Sequence, residues 1–265
     1  MRHFGLIIVG DEILSGKRQD KHMSKVIELL GARGLSLAWA RYVGDDRAGI
    51  TAALKDAFNS GDIVFSCGGI GATPDDHTRQ CAAAALDRPL ALHAQAEALI
   101  RERMQDVARE QGQVYEAERP DNLHRLNMGV FPEGASIIAN PYNKIPGFSV
   151  ADVHFVPGFP VMAHPMIESL LDSRYRDLHG SHLQTERSVI VMGSMEAALT
   201  PLMEQIETEF AGIKVFSLPS VDHPVHGRHI ELGVKGAPEA TVAAFAALLK
   251  GLRQTSAELG PEMVR

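Results

Sequence analysis

The chain has 265 residues, of which 45% are hydrophobic and 22% are charged, a balance typical of soluble globular proteins. Acidic residues outnumber basic ones by 33 to 26, and the resulting net charge of -7 disfavours nucleic acid as the main partner. The two cysteines form no CxxC pair, and no apolar run is long enough for a membrane span. We therefore expect a cytoplasmic protein that does not bind a membrane.

Predicted strands and helices alternate through the first part of the chain. The apolar run from Phe4 to Val9 predicts a strand buried on both faces, and residues 21–33 have helical spacing. A strand over 35–43, a helix over 47–60 and a buried strand over 62–67 continue the pattern. This alternation predicts an α/β fold with a doubly wound, mostly parallel sheet.

The later segments predict a larger first domain and a smaller second one. In the first domain, which we place at residues 1–174, the remaining elements are helices over 76–86 and 94–111, strands over 135–139 and 153–156, and a helix that ends near 171. The second domain, residues 185–254, has a β-α-β-β-α order and predicts a small α+β module. Residues 255–265 are expected to form a frayed tail.

The strongest chemical motif is the segment GGIGATPDDHT, which runs from Gly68 to Thr78 between the third strand and a helix. Its glycines permit a tight turn that presents bare backbone N–H groups, and the following helix start attracts an anion. Asp75 and Asp76 either cap that helix or hold a divalent cation beside the anion, and the paired carboxylates favour the cation. The segment is not a dinucleotide-binding fingerprint, because Pro74 stands where that motif needs its third glycine.

A second acidic loop, GDEILSGK, follows the first strand from Gly10 to Lys17. Its glycine spacing and Arg18 do not fit a P-loop, so we interpret Glu12 as a ligand for a cation or an acceptor for a bound molecule. Both loops follow strands, and the ligand sites of parallel sheets lie at the carboxyl ends of strands. Asp46, after the second strand, either caps the next helix or joins the same acidic rim.

Turns that follow later strands complete the candidate site. Gly147 and Gly158 either close the far wall of the pocket or serve only as turn residues. The full set of candidate phosphate- or substrate-binding residues is Gly10, Gly68, Gly69, Gly71, Thr73, Thr78, Gly147 and Gly158.

These motifs resemble those of the MoaB/Mog superfamily, the molybdopterin-binding fold, and most closely the amino-terminal part of the CinA (competence/damage-inducible protein A) proteins. The family segment G-D-E-L-L-S-G is matched by Gly10–Gly16, V-G-D-D by Val43–Asp46, and G-G-L-G-P-T-x-D-D-x-T by Gly68–Thr78. The resemblance covers about residues 4–172, and residues 185–254 resemble the KH-like module of CinA proteins. It implies a three-layer α/β domain with a pocket for a pterin or nucleotide that carries a phosphate or diphosphate.

The resemblance also implies an activity. It points to a metal-dependent hydrolase of a nucleotide diphosphate bond, with an ADP-ribose-like substrate and Asp75 and Asp76 as catalytic residues. These two acids would hold Mg²⁺, Mn²⁺ or Co²⁺, with Glu12 and Asp46 as further candidate ligands. The alternatives are a molybdopterin-binding protein or adenylyltransferase of molybdenum cofactor biosynthesis, and a binding module without catalysis. Relatives of this kind also imply a homo-oligomer, either a dimer or a trimer.

Two departures from the family bear on activity. Met162 replaces the glutamate that the family carries after P-G-x-P, which removes one expected wall or metal contact of the pyrophosphatase site. We also expect no amidase domain of the kind found in full-length CinA proteins, and so no nicotinamide-nucleotide deamidation.

Overall fold

The structure is a computed structural model that describes residues 2–180 and 184–265. It divides the chain into two compact units, Met1–His179 and Gly180–Arg265. Within the described ranges, no helix is both long enough and apolar enough to cross a membrane.

The first unit consists of strands and helices in close alternation. Its strands are β1 (Phe4–Val9), β2 (Leu37–Val43), β3 (Ile63–Cys67), β4 (Leu90–Leu92), β5 (Val130–Pro132), β6 (Ser136–Ile138), β7 (Gly147–Val150) and β8 (Val153–Val156). Its helices are α1 (Asp11–Leu14), α2 (His22–Gly31), α3 (Arg47–Ser60), α4 (Thr78–Leu86), α5 (Ala94–Glu110), α6 (Pro120–Arg125) and α7 (Pro160–Ser173). Short 3-10 turns cover Leu126–Gly129 and Arg176–Leu178.

The main sheet of this unit is mostly parallel. In the described part of the chain its strand order is β2-β1-β3-β8-β7-β6; β1 pairs in parallel with β2 and β3, and β3 with β8, whereas β7 runs antiparallel to both its neighbours. The chain leaves β1 to form β2 on one side and returns to form β3 on the other. Such a change of direction opens a crevice at the carboxyl ends of the two strands.

Helices cover both faces of this sheet. On one face, Leu30 of α2 and Ile167 of α7 are buried in the same core cluster. On the other face, Leu54 of α3 and Ala82 of α4 are buried beside a stack of aromatic rings, Phe131, Phe148 and Phe155. The predicted three-layer, doubly wound α/β fold is therefore confirmed.

The second unit is a small α+β module with one more strand than predicted. Its elements are β9 (Thr185–Met192), α8 (Glu196–Glu209), β10 (Lys214–His223), β11 (Gly227–Gly236), α9 (Pro238–Leu252) and β12 (Glu258–Val264), and the order of its antiparallel sheet in the described residues is β10-β11-β9-β12.

The prediction of a frayed tail over 255–265 is wrong. Strand β12 pairs with β9, and Leu259, partly buried, packs against the core of this unit. Gly260 and Pro261 interrupt the strand pattern in the sequence, and the pairing is irregular between Leu259 and Glu262. The strand forms because it covers the otherwise open edge of β9.

A chain of buried polar groups crosses the first unit. The Ser149 hydroxyl lies 2.7 Å from Nδ1 of His154, and Nε2 of His154 lies 2.5 Å from the Tyr175 hydroxyl, which donates to Asp152 at 2.8 Å. His154 is fully buried, and this burial lowers its pKa to about 3. The imidazole is therefore neutral in the folded protein, with Asp152 and the cations Arg2 and Arg174 nearby.

This neutral imidazole predicts that the first unit loses stability in mild acid. In the unfolded chain a histidine takes up a proton near pH 6.5, whereas folded His154 does not until about pH 3. The contribution of His154 to the free energy of unfolding is therefore complete above pH 6.5 and decreases progressively below it. Between pH 7.5 and 5.5 this group alone lowers the free energy of unfolding by about 1.4 kcal/mol. Urea unfolding, followed by the fluorescence of the single tryptophan, Trp39, measures the loss.

A His154→Gln variant separates this histidine from the other titrating groups. We expect its free energy of unfolding to fall less than that of the wild type between the two pH values, by about 1.4 kcal/mol. Equal losses in the two proteins would contradict the assignment.

Candidate functional site

A cavity of about 590 Å³ opens at the carboxyl ends of the parallel strands, within the size range of small-molecule sites. We call it the crevice. It is lined by loops that follow β1, β2, β3 and β8 and by the loop between β6 and β7. Its lining residues include Gly10, Glu12, Arg18, Asp45, Gly68, Gly69, Ile70, Gly71, Ala72, Thr73, Asp75, Asp76, Asn140, Asn143, Pro146, Gly158, Phe159 and Met162.

Most of the candidate residues from the sequence meet in this crevice, and three do not. Those that line it are Gly10, Glu12, Gly68, Gly69, Gly71, Thr73, Asp75, Asp76 and Gly158. Thr78, Asp46 and Gly147 lie outside it, and the structure gives each of them a different role.

The glycine turn after β3 is shaped by neighbours that leave no room for side chains. Gly68 and Gly69 have φ values of +106° and +69°, which favour glycine. A Cβ at Gly68 would overlap the carbonyl oxygen of Val9, and one at Gly69 would overlap Oγ1 of Thr78. Thr78 is fully buried and donates from Oγ1 to the Gly68 carbonyl oxygen at 3.0 Å, so it supports the turn from behind rather than facing a ligand.

The two acids of the turn are held by Thr73. Its backbone N–H donates to Oδ2 of Asp76 at 2.8 Å, and its hydroxyl lies 2.5 Å from Asp75 Oδ1 and 2.6 Å from Asp76 Oδ2. The Asp76 carboxylate lies against Gly71, where a Cβ would be only 2.5 Å from Oδ2. The bond from Thr73 lowers the pKa of Asp75, which is therefore ionised.

The loops after β1 and β2 are tied together by a reciprocal pair of bonds. Asp11 N–H donates to Asp45 Oδ2 at 2.9 Å, and Asp45 N–H donates to Asp11 Oδ1 at 3.2 Å. Burial, together with the negative charges of Asp11, Glu12 and Asp75, raises the pKa of Asp45 despite the bond from the Asp11 amide. The acids on this side of the crevice therefore repel one another.

Asp46 and Gly147 need correction as site residues. The Asp46 carboxylate accepts a bond from Gly49 N–H at 2.7 Å and caps α3, which satisfies a free donor at the start of the helix. Its neighbour Asp45 faces the crevice instead. A Cβ at Gly147 would overlap the Phe155 carbonyl oxygen, so this glycine permits close packing inside the sheet.

A preformed metal site is not found. In residues 2–180 and 184–265 no group of three or more histidine, cysteine, aspartate or glutamate side chains is arranged to hold a metal ion. Asp46 is used as a helix cap, and Oδ2 of Asp76 accepts from Thr73. The four acids predicted as metal ligands therefore do not form a site made of protein ligands alone.

The far wall of the crevice, which the sequence assigns to the turns around Gly147 and Gly158, offers aromatic and amide groups. Phe159 lines the crevice, and 56% of its surface is exposed. Nε2 of His22 lies 3.0 Å from the Gly158 carbonyl oxygen and holds the turn that carries Phe159. The Asn143 amide nitrogen is 3.7 Å from the weak acceptor Sδ of Met162, so it remains available to a ligand. The PGFP sequence predicts a turn, but it does not show that the ring of Phe159 lines the site.

Comparison with known protein families identifies the family to which the chain belongs. Residues 5–177 match the family described as "Probable molybdopterin binding domain". The chain therefore belongs to this family, which confirms the resemblance to the MoaB/Mog superfamily.

Individual relatives point to the CinA-like branch. A CinA-like protein of Syntrophotalea carbinolica is 30% identical over 221 residues, which cover 78% of this chain and 51% of that protein. Protein TV0584 of Thermoplasma volcanium is 28% identical over 223 residues, covering 83% and 81%. The crystal structure of CinA from Thermoplasma acidophilum, whose function is described as unknown, aligns with a TM-score of 0.54 and 26% identity over 64% of this chain and 98% of that one. The chain thus spans only about half the length of the Syntrophotalea protein.

The support that Thr78 gives to the glycine turn can be measured directly. Thr78→Val keeps the shape of the side chain but leaves the Gly68 carbonyl without its donor, so we expect a loss of about 1–3 kcal/mol in the free energy of unfolding. Thr78→Ser keeps the hydroxyl and is expected to retain more of the stability. Urea unfolding compares the three proteins. A valine variant as stable as the wild type would contradict this role.

Proposed function

We propose that the crevice binds a small molecule in which a fused heterocycle, a pterin or a purine, is joined to a phosphate or diphosphate. The observation that carries the proposal is a run of free donors. Among the described residues, the backbone N–H groups of Gly69, Ile70, Gly71 and Ala72 have no acceptor in the protein, and all four residues line the crevice. Consecutive backbone N–H groups in a turn form a concave site for anionic oxygens.

The opposite wall supports the heterocyclic part of this ligand. Phe159 offers an exposed aromatic face for stacking, and Ile145 and Met162 add apolar surface. The Asn143 amide nitrogen, whose bond to Met162 Sδ is weak, can donate to a ring carbonyl or ring nitrogen. The family description, a probable molybdopterin-binding domain, agrees with a phosphorylated pterin as the ligand.

Binding is tested by calorimetric titration with ADP-ribose, AMP and a phosphorylated pterin. Gly71→Ala would place a Cβ 2.5 Å from the Asp76 carboxylate and displace it, so we expect at least tenfold weaker binding of the ligand that the wild type takes. Gly31→Ala is the matched control, because a Cβ there meets no atom within 4 Å. The absence of saturable binding, or equal affinities in the two variants, would refute the proposal.

A second candidate function is hydrolysis of the diphosphate bond, and the four acids that line the crevice favour it: Glu12, Asp45, Asp75 and Asp76. Burial and the negative charges of Asp11, Glu12 and Asp75 raise the pKa of Asp45, and a cation bound beside these acids would reduce their repulsion. Mg²⁺ in phosphate-handling sites is usually held by one or two carboxylates together with the phosphates of the substrate. A cation that arrives with its substrate therefore needs no site built from protein ligands alone.

In this function Asp75 and Asp76 act at the phosphate, and Glu12 and Asp45 line the same crevice. A bound cation would neutralise the diphosphate and lower the pKa of a water molecule. The Asp75 carboxylate is ionised and exposed, and it is the acid most available to such a cation. Water would then split ADP-ribose into AMP and ribose 5-phosphate.

Hydrolysis is tested by incubating ADP-ribose with the protein and Mg²⁺, Mn²⁺ or Co²⁺ and measuring AMP. We expect Asp75→Asn and Asp76→Asn each to lower the rate about 10³-fold, which corresponds to about 4 kcal/mol of barrier. Asp222→Asn, an exposed change in the second unit, is the control. If ADP-ribose stays intact with all three metals while binding persists, the hydrolysis proposal is refuted and the protein only binds the ligand.

A further inference from the structure

A second cavity, of about 360 Å³, adjoins the crevice and has a different chemical character. The two cavities share Ala72, Thr73 and Asp76, so the turn that carries the free N–H groups forms a wall of both. The other walls of the second cavity come from the start of α3, the first turn of α4 and the segment from α6 to β5. They bring together four basic side chains that do not line the crevice: Arg47, His77, Arg79 and His124.

Arg79 is a buried cation whose pKa is lowered by burial and raised by the negative charge of Asp76. Only 4% of its surface is exposed, and its guanidinium donates to the carbonyl oxygens of Asn127 at 2.5 Å and Gly71 at 2.6 Å. These bonds use two of its five donors, and no carboxylate in the described part of the chain forms an ion pair with it. A buried charge left unpaired is unfavourable, and an anion in the adjoining cavity would compensate it.

Other hydrogen-bond donors at this cavity also favour an anion. Arg47 is exposed and has no ion-pair partner within the described residues. Helix α4 begins here without a side-chain cap, so the backbone N–H groups of Arg79 and Gln80 in its first turn remain open to an anion. His124 is occupied differently, because its Nε2 donates to the Ala72 carbonyl oxygen at 2.8 Å and holds the shared wall.

We propose that this second cavity binds the phosphate group of a phosphate monoester, with Arg47 and Arg79 as its cationic contacts and His77 in its wall. The volume fits a small organic ligand better than a bare ion and leaves room for the group to which the phosphate is esterified. The charge of a phosphate dianion matches two guanidinium groups, and arginine binds phosphate oxygens in pairs. This site is additional to the proposed diphosphate site of the crevice and does not depend on it.

The test follows the imidazole signals of the histidines by NMR at pH 7.5 and constant ionic strength, with inorganic phosphate and ribose 5-phosphate as separate probes. We expect saturable shifts of the His77 and His124 signals, since both residues line the second cavity only. Arg47→Gln is expected to weaken this binding about tenfold. Lys55→Gln, which removes a charge from the exposed side of the same helix α3, is expected to leave it unchanged.

The outcomes separate this proposal from that for the crevice. Tighter binding of ribose 5-phosphate than of inorganic phosphate supports the proposed monoester, and equal or weaker binding of ribose 5-phosphate overturns it in favour of the free anion. The proposal is overturned if neither probe shifts His77 and His124. It is also overturned if Arg47→Gln and Lys55→Gln weaken binding equally, because the effect is then one of overall charge. Binding of ADP-ribose in the crevice is measured independently and can fail while this site is retained.

Discussion

At the carboxyl end of β3 the backbone makes a turn in which two neighbouring groups already occupy the space that side chains at Gly68 and Gly69 would need. The carbonyl oxygen of Val9 lies beside Gly68, and the hydroxyl of Thr78 lies beside Gly69. Only glycine fits at either position, and both adopt positive φ. As a result the turn runs close to β1 and leaves successive N–H groups directed at no protein acceptor. The proposed ligand chemistry of the first unit depends on this close approach.

The charges around the turn follow from its geometry. Thr73 holds Asp75 and Asp76, and the bonds between Asp11 and Asp45 tie together the acidic loops that follow β1 and β2. Free N–H donors and acidic side chains therefore face one space. An anion alone would meet repulsion from these acids, whereas an anion that carries a cation would satisfy both sets of groups. On the outer side of the same turn, Arg79 and His124 bind the carbonyl oxygens of Gly71 and Ala72.

Much of this arrangement could be predicted from the sequence because it depends on local patterns. The continuous apolar runs of β1 and β3 identify buried parallel strands, and the glycine-rich segment between β3 and α4 identifies the ligand loop. The roles of neighbouring residues could not be separated in this way. Asp45 and Asp46 have the same chemistry, and only the position of the α3 start decides which one caps the helix and which one faces the crevice. Strand β12 was missed because Gly260 and Pro261 hide its pattern. The second cavity combines residues from 47 to 130, which only the tertiary fold brings together.

The most direct measurement is a titration of the ¹⁵N-labelled protein with ADP-ribose or a phosphorylated pterin, followed by backbone amide NMR. We expect the largest saturable shifts on the amides of Gly69, Ile70, Gly71 and Ala72, because these N–H groups become hydrogen-bonded to phosphate oxygens. Saturable binding that leaves these four amides unchanged while others shift would contradict this expectation.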